Sequence, residues 1–339
     1  MFDVRPGIRS RRFAGFGVDA LLVLAALYTT AAFADEGAVV SHYPNRPIHY
    51  IVPYPPGAFN DTLGRIVSQK LQEAWGVSVV VDNRPGGGTL IGTEAAAKAP
   101  ADGYTLLGVA FPFGANPSIY KKLPYDTVKD FSPIIFAGQT PNLLVVRPDL
   151  PVQTVAQLIA LIKANPGKYS YGSAGIGSSN HLSMEFFNSM AGIKSVHVPY
   201  KGSAPMVNDL LGGHIDMAFD NTPNVLPQVN GGKLRALGVS SPKRSSLAPE
   251  VPTVSEAGLP GYEVNVWFGI VAPAGTPPEI VEKLNRQINL ILQMPDVKRR
   301  FQEQGVEPVG GTATKFDDQI RAEIKKWAAV VHDAGIQPE

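Results

Sequence analysis

From residue 42 onward the chain alternates between two hydrophobic periods. Apolar runs of strand length stand at 48–53, 77–81 and 105–110. Between them apolar residues recur every three or four positions, and Leu63, Ile66, Val67, Leu71 and Trp75 share one face of a helix over 62–75. An Ala-rich helix running through Lys98 follows the turn Asn83-Arg84-Pro85-Gly86-Gly87-Gly88-Thr89. The pattern restarts after Leu143-Leu144-Val145-Val146, with strands at 169–173, 195–200, 215–220 and 234–240. Helices at 154–164, 179–191 and 204–211 alternate with them. Thr154 with Gln157 forms a capping-box pattern, and Gly192 ends the second of these helices. The C-terminus reads as three helices, 278–292, 296–304 and 315–334, the first opened by Pro277-Pro278.

Strands alternating with helices predict α/β lobes with largely parallel sheets. Two longer strand-like segments, 142–147 and 262–271, bracket the middle unit. The expected fold is two α/β lobes joined by two crossing strands. Lobe I (44–143 plus 264–339) comes from both ends of the chain, and lobe II (144–263) is inserted. A chain of 339 residues is long enough for two such cores.

Residues 1–34 stand apart from this pattern. Arg5, Arg9, Arg11 and Arg12 precede the short apolar run 20–32, and Ala32-Phe33-Ala34 supplies small residues for cleavage. The run falls short of the ~20 residues that span a bilayer. We therefore expect a cleavable export signal ending near Ala34 and a periplasmic location, with either general or twin-arginine export open. Removal of the segment leaves 26 basic against 27 acidic residues. Such a balance offers no footprint for nucleic acid or an anionic membrane. The absence of Cys removes disulfides, thiolate metal sites and Cys nucleophiles together. No later apolar run reaches spanning length, so a soluble mature protein is expected.

In open α/β sheets, ligands lie beyond the carboxyl ends of strands, where loops enter helix N-termini. Free N–H groups and the helix dipole bind anions there without Arg or Lys. Three loops have this design. The first is Tyr54-Pro55-Pro56-Gly57-Ala58-Phe59-Asn60-Asp61, where Gly57 permits close backbone approach and Asp61 reads as the helix N-cap. Tyr54 and Phe59 pack either on a ligand or on the lobe edge. The second runs from Tyr171 to His181 and combines Ser173, Ser178 and Ser179 with three glycines as a carboxylate cradle. It lacks the Lys of a phosphate loop. His181, with no partner at short spacing, reads as a structural histidine. The third is Val198-Pro199-Tyr200-Lys201-Gly202-Ser203, where Ser203 reads as an N-cap and Lys201 either attracts an anion or points to solvent.

Competing chemistries find little support. No Gly-x-Ser-x-Gly elbow occurs, because Gly177 occupies the nucleophile position of the nearest match. His181, His197 and His214 follow different elements without metal-ligand spacing, so no metal or cofactor is expected.

Several segments together resemble the tripartite tricarboxylate transporter receptors (TctC-like, or Bug, proteins). They include Val52-Pro53-Tyr54-Pro55-Pro56-Gly57 with Asp61 and Arg65, Asn83-Arg84-Pro85-Gly86, and Asp102-Gly103-Tyr104-Thr105-Leu106. Tyr171-Gly172-Ser173 through His181-Leu182, His197-Val198-Pro199-Tyr200-Lys201-Gly202, Leu210-Leu211-Gly212-Gly213 and Val251-Pro252-Thr253 complete the set. The likeness covers essentially the whole chain after residue 34. It implies a type II periplasmic-binding-protein fold, a Venus flytrap whose cleft holds a ligand carboxylate through amides, hydroxyls and water. By position, the implied ligand shell is Tyr54, Gly57, Ala58, Phe59, Asn60, Ser173, Ser178, Ser179, Tyr200, Lys201, Gly202, Asp220 and Asn221. The family's first loop usually carries a second Gly where this chain has Ala58, which restricts the backbone if that position needs positive φ. Bulky Phe59 beside it points to an aromatic dicarboxylate such as terephthalate. The expected role is that of a monomeric receptor handing a carboxylate to integral membrane transporter subunits. A ligand-presenting sensor and, more remotely, an exported hydrolase are the alternatives.

Overall fold

The computed structural model describes residues 1–3 and 42–338. Apart from its first three residues, the expected export signal lies outside the described residues. The chain divides into two compact units, Met1–Asn45 and Arg46–Glu339, and every element named below belongs to the second.

The strands form one continuous hydrogen-bonded path. β1 (Ile48–Val52) pairs in parallel with β2 (Val79–Asn83) and β3 (Thr105–Ala110). β3 joins antiparallel to β9 (Asn265–Pro273), and β9 to the first part of β4 (Phe131–Val146). The last part of β4 then pairs antiparallel with β7 (Met217–Asn221) and β8 (Arg235–Val239). β7 continues in parallel to β5 (Ser170–Ser173), and β5 to β6 (Val196–Pro199). A two-residue β10 (Glu307–Pro308) lies against Gln139 and Gly138 of β4. Buried Ile48, Tyr50, Ile51 and Val52 show why β1 reads as a nearly continuous apolar run: helices cover both faces of a parallel sheet.

β4 has 16 residues and carries the chain from one ladder to the other. Sequence periodicity exposes only its last part, because Pro133, Gly138 and Pro141 break the apolar run and the register shifts twice along β9. The return passage differs from the expected strand at 262–271. β9 begins at Asn265, and Val264 just before it donates its N–H to Ser240 O at 2.8 Å. Ser240 clasps the crossing point. Its Oγ accepts from Asn142 N (2.8 Å) and donates to Val264 O (2.6 Å).

α1 (Phe59–Trp75), α2 (Leu90–Ala97), α4 (Val155–Ala164), α5 (Ser179–Ala191) and α6 (Ser203–Leu211) follow their strands as the periodicity predicts. Thr154 caps α4, its Oγ1 accepting from Gln157 N at 3.2 Å. Two helices escape sequence reading, α3 (Pro112–Ile119) and α7 (Thr222–Asn230). Each carries an internal proline, Pro117 or Pro227, which lowers helix propensity, so packing decides them. The C-terminal helices are α8 (Pro278–Gln293), α9 (Pro295–Glu303) and α10 (Ala313–Asp333). One core gathers Trp267 and Trp327, whose indole N–H groups both donate to Glu323 Oε2, at 3.2 and 2.7 Å. Another packs Leu143, Val145, Met206, Leu210, Ile215 and Val225.

Candidate functional site

The first loop follows the carboxyl end of β1 and enters α1 three residues earlier than expected. Ala58, not Asp61, is the N-cap, with φ −70° and ψ 158° and no side-chain cap. The demanding backbone angle falls instead on Gly57, at φ +93°, so the Ala replacement carries no strain. Asp61, the third residue of α1, is a buried anchor. One carboxylate oxygen accepts from Gly57 N (3.1 Å) and Arg65 Nε (3.0 Å), and the other from Asn83 Nδ2 (3.0 Å). Asn83 also donates to Tyr54 O at 3.1 Å, tying the loop to the end of β2. Burial works to raise the Asp61 pKa, yet the bonds from Arg65, Asn83 and Gly57 hold it below the usual range. The half-buried Phe59 ring packs on Phe268 and Phe301, with centroids 4.5 and 5.1 Å away. The carboxamide oxygen of Asn60 is buried without a partner.

The second loop leaves β5 and enters α5. Ser178 is the N-cap: its Oγ accepts from His181 N (3.3 Å) and donates to Gly175 O (2.6 Å). Ser173 is fully buried and its Oγ bonds His197 Nε2 at 2.7 Å. His181 Nδ1 accepts from Gly177 N at 3.3 Å, the structural role expected of it. The histidines, remote in sequence, are stacked with ring centroids 4.1 Å apart, and Tyr171 lies against His197 at 4.9 Å. Burial lowers the pKa of His181 to about 3, with His197 adding to the effect, and that of His197 to about 4. Both rings are thus neutral at neutral pH.

That pair sets a pH dependence. The unfolded chain takes up protons near pH ~6.5, whereas the native rings resist until about 3 and 4. Unfolding therefore binds protons in this window, and stability falls as pH drops through it. Buried Glu185, Asp220 and Glu323, whose pKa values burial raises, act in the opposite sense. Urea unfolding between pH 7 and pH 4 should show a shallower acid loss in His181→Gln/His197→Gln than in the wild type. Equal slopes would contradict the assignment.

The third loop joins β6 to α6. Gly202, at φ +116°, is the N-cap, and Ser203 is the first helical residue instead of the expected cap. Ser203 Oγ donates to Asp220 Oδ2. Asp220, 1% exposed, also accepts from Asn180 Nδ2 (2.9 Å), Asn221 N (2.8 Å) and Asn224 Nδ2 (3.3 Å). One carboxyl group therefore ties together the first turns of α5, α6 and α7. Tyr200 spends its hydroxyl on Asp209 Oδ2 (2.8 Å), and burial pushes its pKa up to about 12.

The expected residues thus fall into two classes. Hydroxyls or carboxylates of Ser173, Ser178, Tyr200 and Asp220 are committed inside the protein. Asn60 and Asn221 keep buried carboxamide oxygens without partners at the starts of α1 and α7, while Lys201 is exposed and Gly202 half-buried. The second and third loops meet: Tyr200 N donates to Ser173 O at 3.0 Å. Sequence reasoning missed Asn83, Asn180 and Asn224 as organisers of the site. Only Asn83 left a signal, in its Asn-Arg-Pro-Gly turn. No group of three or more His, Cys, Asp or Glu with metal-holding geometry occurs among the described residues.

Known proteins match this chain over most of its length. The tripartite tricarboxylate transporter family receptor description matches residues 63–336. The chain belongs to this family. Protein BugT of Bordetella pertussis is 40% identical to the receptor over 317 residues, covering 93% of this chain and 97% of BugT. A solved R. palustris protein, Rpa4515 with adipate, is 39% identical with a TM-score of 0.76, covering 88% of this chain and 100% of that one. MatC from Rhodopseudomonas palustris with bound malate is 29% identical with a TM-score of 0.72, covering 85% and 100%. The receptor therefore has the two-lobed α/β architecture of these solute-binding proteins, and its family is one of receptors, not enzymes.

Proposed function

We propose that this receptor captures a small organic carboxylate in the periplasm and delivers it, as a monomer, to the integral membrane subunits of a tripartite transporter. The observation that carries this reading is the gathering of three helix starts, α5, α6 and α7, around Asp220, because helix N-termini carry the free N–H donors that an anion needs. The lobe holding α1 presents that helix's start and the Gly57 loop in the same style. We place the lobe limits at 143/144 and 263/264, close to where β4 passes from one ladder to the other between Pro141 and Asn142 and to the Ser240 clasp, which support this division. A carboxylate entering between the lobes gains about 1.5–3 kcal/mol from each charge-assisted hydrogen bond. A partly buried helix terminus adds up to ~2 kcal/mol. Three such bonds, less the cost of association, suit micromolar affinity.

Adipate in Rpa4515 and malate in MatC support a dicarboxylate ligand. Within that class we favour an aromatic acid such as terephthalate, with the half-buried ring of Phe59 as the apolar surface it meets. A thermal-shift and calorimetric panel of mono-, di- and tricarboxylates tests both levels. Phe59→Ala should weaken terephthalate at least tenfold while leaving adipate within about threefold, as loss of one aromatic contact predicts. Tight citrate binding with no response to terephthalate would reject the aromatic preference. A flat panel would reject the carboxylate receptor itself.

A further inference from the structure

A cavity lined mostly by polar residues shares none of the expected ligand residues. It measures about 510 Å³ and lies between loop 241–247, which follows β8, and segment 302–308, which leads from α9 into β10. Gln139 and Pro141 of β4 and Asn265 of β9 also line it. Gly305 in its wall packs so closely on Pro223 that an added Cβ would stand 2.3 Å from the proline ring. Pro223 lies two residues beyond Asn221, so this contact borders the candidate ligand site.

The cavity's lining is chemically unfinished. Asn265 Oδ1 is buried without a hydrogen-bond partner. The half-buried Gln139 and the exposed Gln302, Lys243 and Glu307 reach the same cavity with side chains that hold no protein partner among the described residues, and are free to turn toward a solute. Neighbouring polar groups are engaged: Arg244 holds Glu256 at 2.9 Å, and Ser241 Oγ donates to Lys243 O at 2.7 Å. Buried polar groups in folded proteins nearly always find partners, and an unpaired one is costly. The volume falls in the range of small-molecule sites.

We propose that this cavity is a second ligand site, for a small solute that combines a carboxylate with hydroxyl or ammonium donors. Lys243 takes the carboxylate. Asn265 Oδ1 and the Glu307 carboxylate accept from the donors, and Gln139 and Gln302 complete the shell from opposite walls. A simple dicarboxylate without donors leaves Asn265 Oδ1 unsatisfied and sets its charge beside Glu307, so this site selects differently from the principal cleft.

The side-chain amide signals of Asn265, Gln139 and Gln302, followed by NMR on the intact receptor, test this directly. L-Malate and L-serine are the probes, separating hydroxyl from ammonium donors, and adipate is the control without donors. At least one probe should shift these three signals saturably, while adipate should not. Lys243→Ala, on an exposed loop, and Asn265→Leu should each weaken that response at least tenfold, leaving the backbone amides of Gly57, Ser178 and Gly202 to titrate as in the wild type. Carboxamide signals that stay still to millimolar probe overturn the second site, whatever the principal-site amides do. Shifts of the carboxamides with the principal-site amides silent would uphold the second site, and silence of those amides to terephthalate as well would reject the principal one.

Discussion

Asp220→Ala is expected to lower stability by about 3 kcal/mol, the scale of breaking a buried polar network, and to weaken carboxylate binding at least tenfold. The substitution strands four donors: Ser203 Oγ, Asn180 Nδ2, Asn224 Nδ2 and Asn221 N. Three of these stand in the first turns of α5, α6 and α7, so the helix starts lose their common tether. Burial raises the Asp220 pKa, which makes the neutral Asp220→Asn a close substitute. Its carboxamide oxygen still accepts, and the Ser203 hydroxyl can turn to accept in its place. Asp220→Asn should thus recover most of the stability. Urea unfolding and calorimetry on both variants decide the matter. An Asp220→Ala protein with wild-type stability and affinity would show that the helix starts are held by packing alone.

The second large effect belongs to Asp61. Asp61→Ala should cost about 2 kcal/mol, since it leaves the partly buried Gly57 and Asn83 bonds without their acceptor, and should abolish measurable carboxylate binding. The exposed Arg65 contributes little to that figure, because solvent screens the pair. What matters is the bond from Gly57 N, which holds the loop at a left-handed φ, and the bond from Asn83, which fastens it to β2. Without them the loop's N–H groups lose their fixed direction, and preorganisation is what converts hydrogen bonds into affinity. Asp61→Asn should retain the Asn83 contact and part of the binding. Binding that survives Asp61→Ala within about threefold, well under the tenfold step of 1.4 kcal/mol, would mean that the first loop takes no part in ligand capture.

The site was partly legible in the amino-acid order. Gly57, Gly175, Gly177 and Gly202 mark loops at strand ends, and all four adopt the positive φ that favours glycine. The roles of individual polar residues were less legible. Asp61 and Ser203 are each where a cap would stand, yet the caps are Ala58 and Gly202. A cap signature records that a short polar side chain lies near a helix start, not which neighbour it reaches. Asp61 bonds Asn83, 22 positions away, and Ser203 bonds Asp220, 17 positions away. The His181–His197 stack was invisible for the same reason: His181 stands on α5 and His197 on β6, and only the packing of helix against sheet brings the two rings together.

Local order along the chain determined the strand–helix alternation, the parallel pairing of β1 with β2 and β3 and of β5 with β6 and β7, and the glycine-lined turns, because periodicity and backbone conformation are properties of neighbouring residues. The antiparallel pairings of β4 and β9 correct the expectation of largely parallel sheets. Tertiary structure alone decided the extent of β4, the proline-bearing helices α3 and α7, and the commitment of each polar group. Those outcomes depend on partners many residues distant, and burial makes an unmatched partner costly. Chain order placed polar groups at the mouths of the strands; packing chose the partner of each.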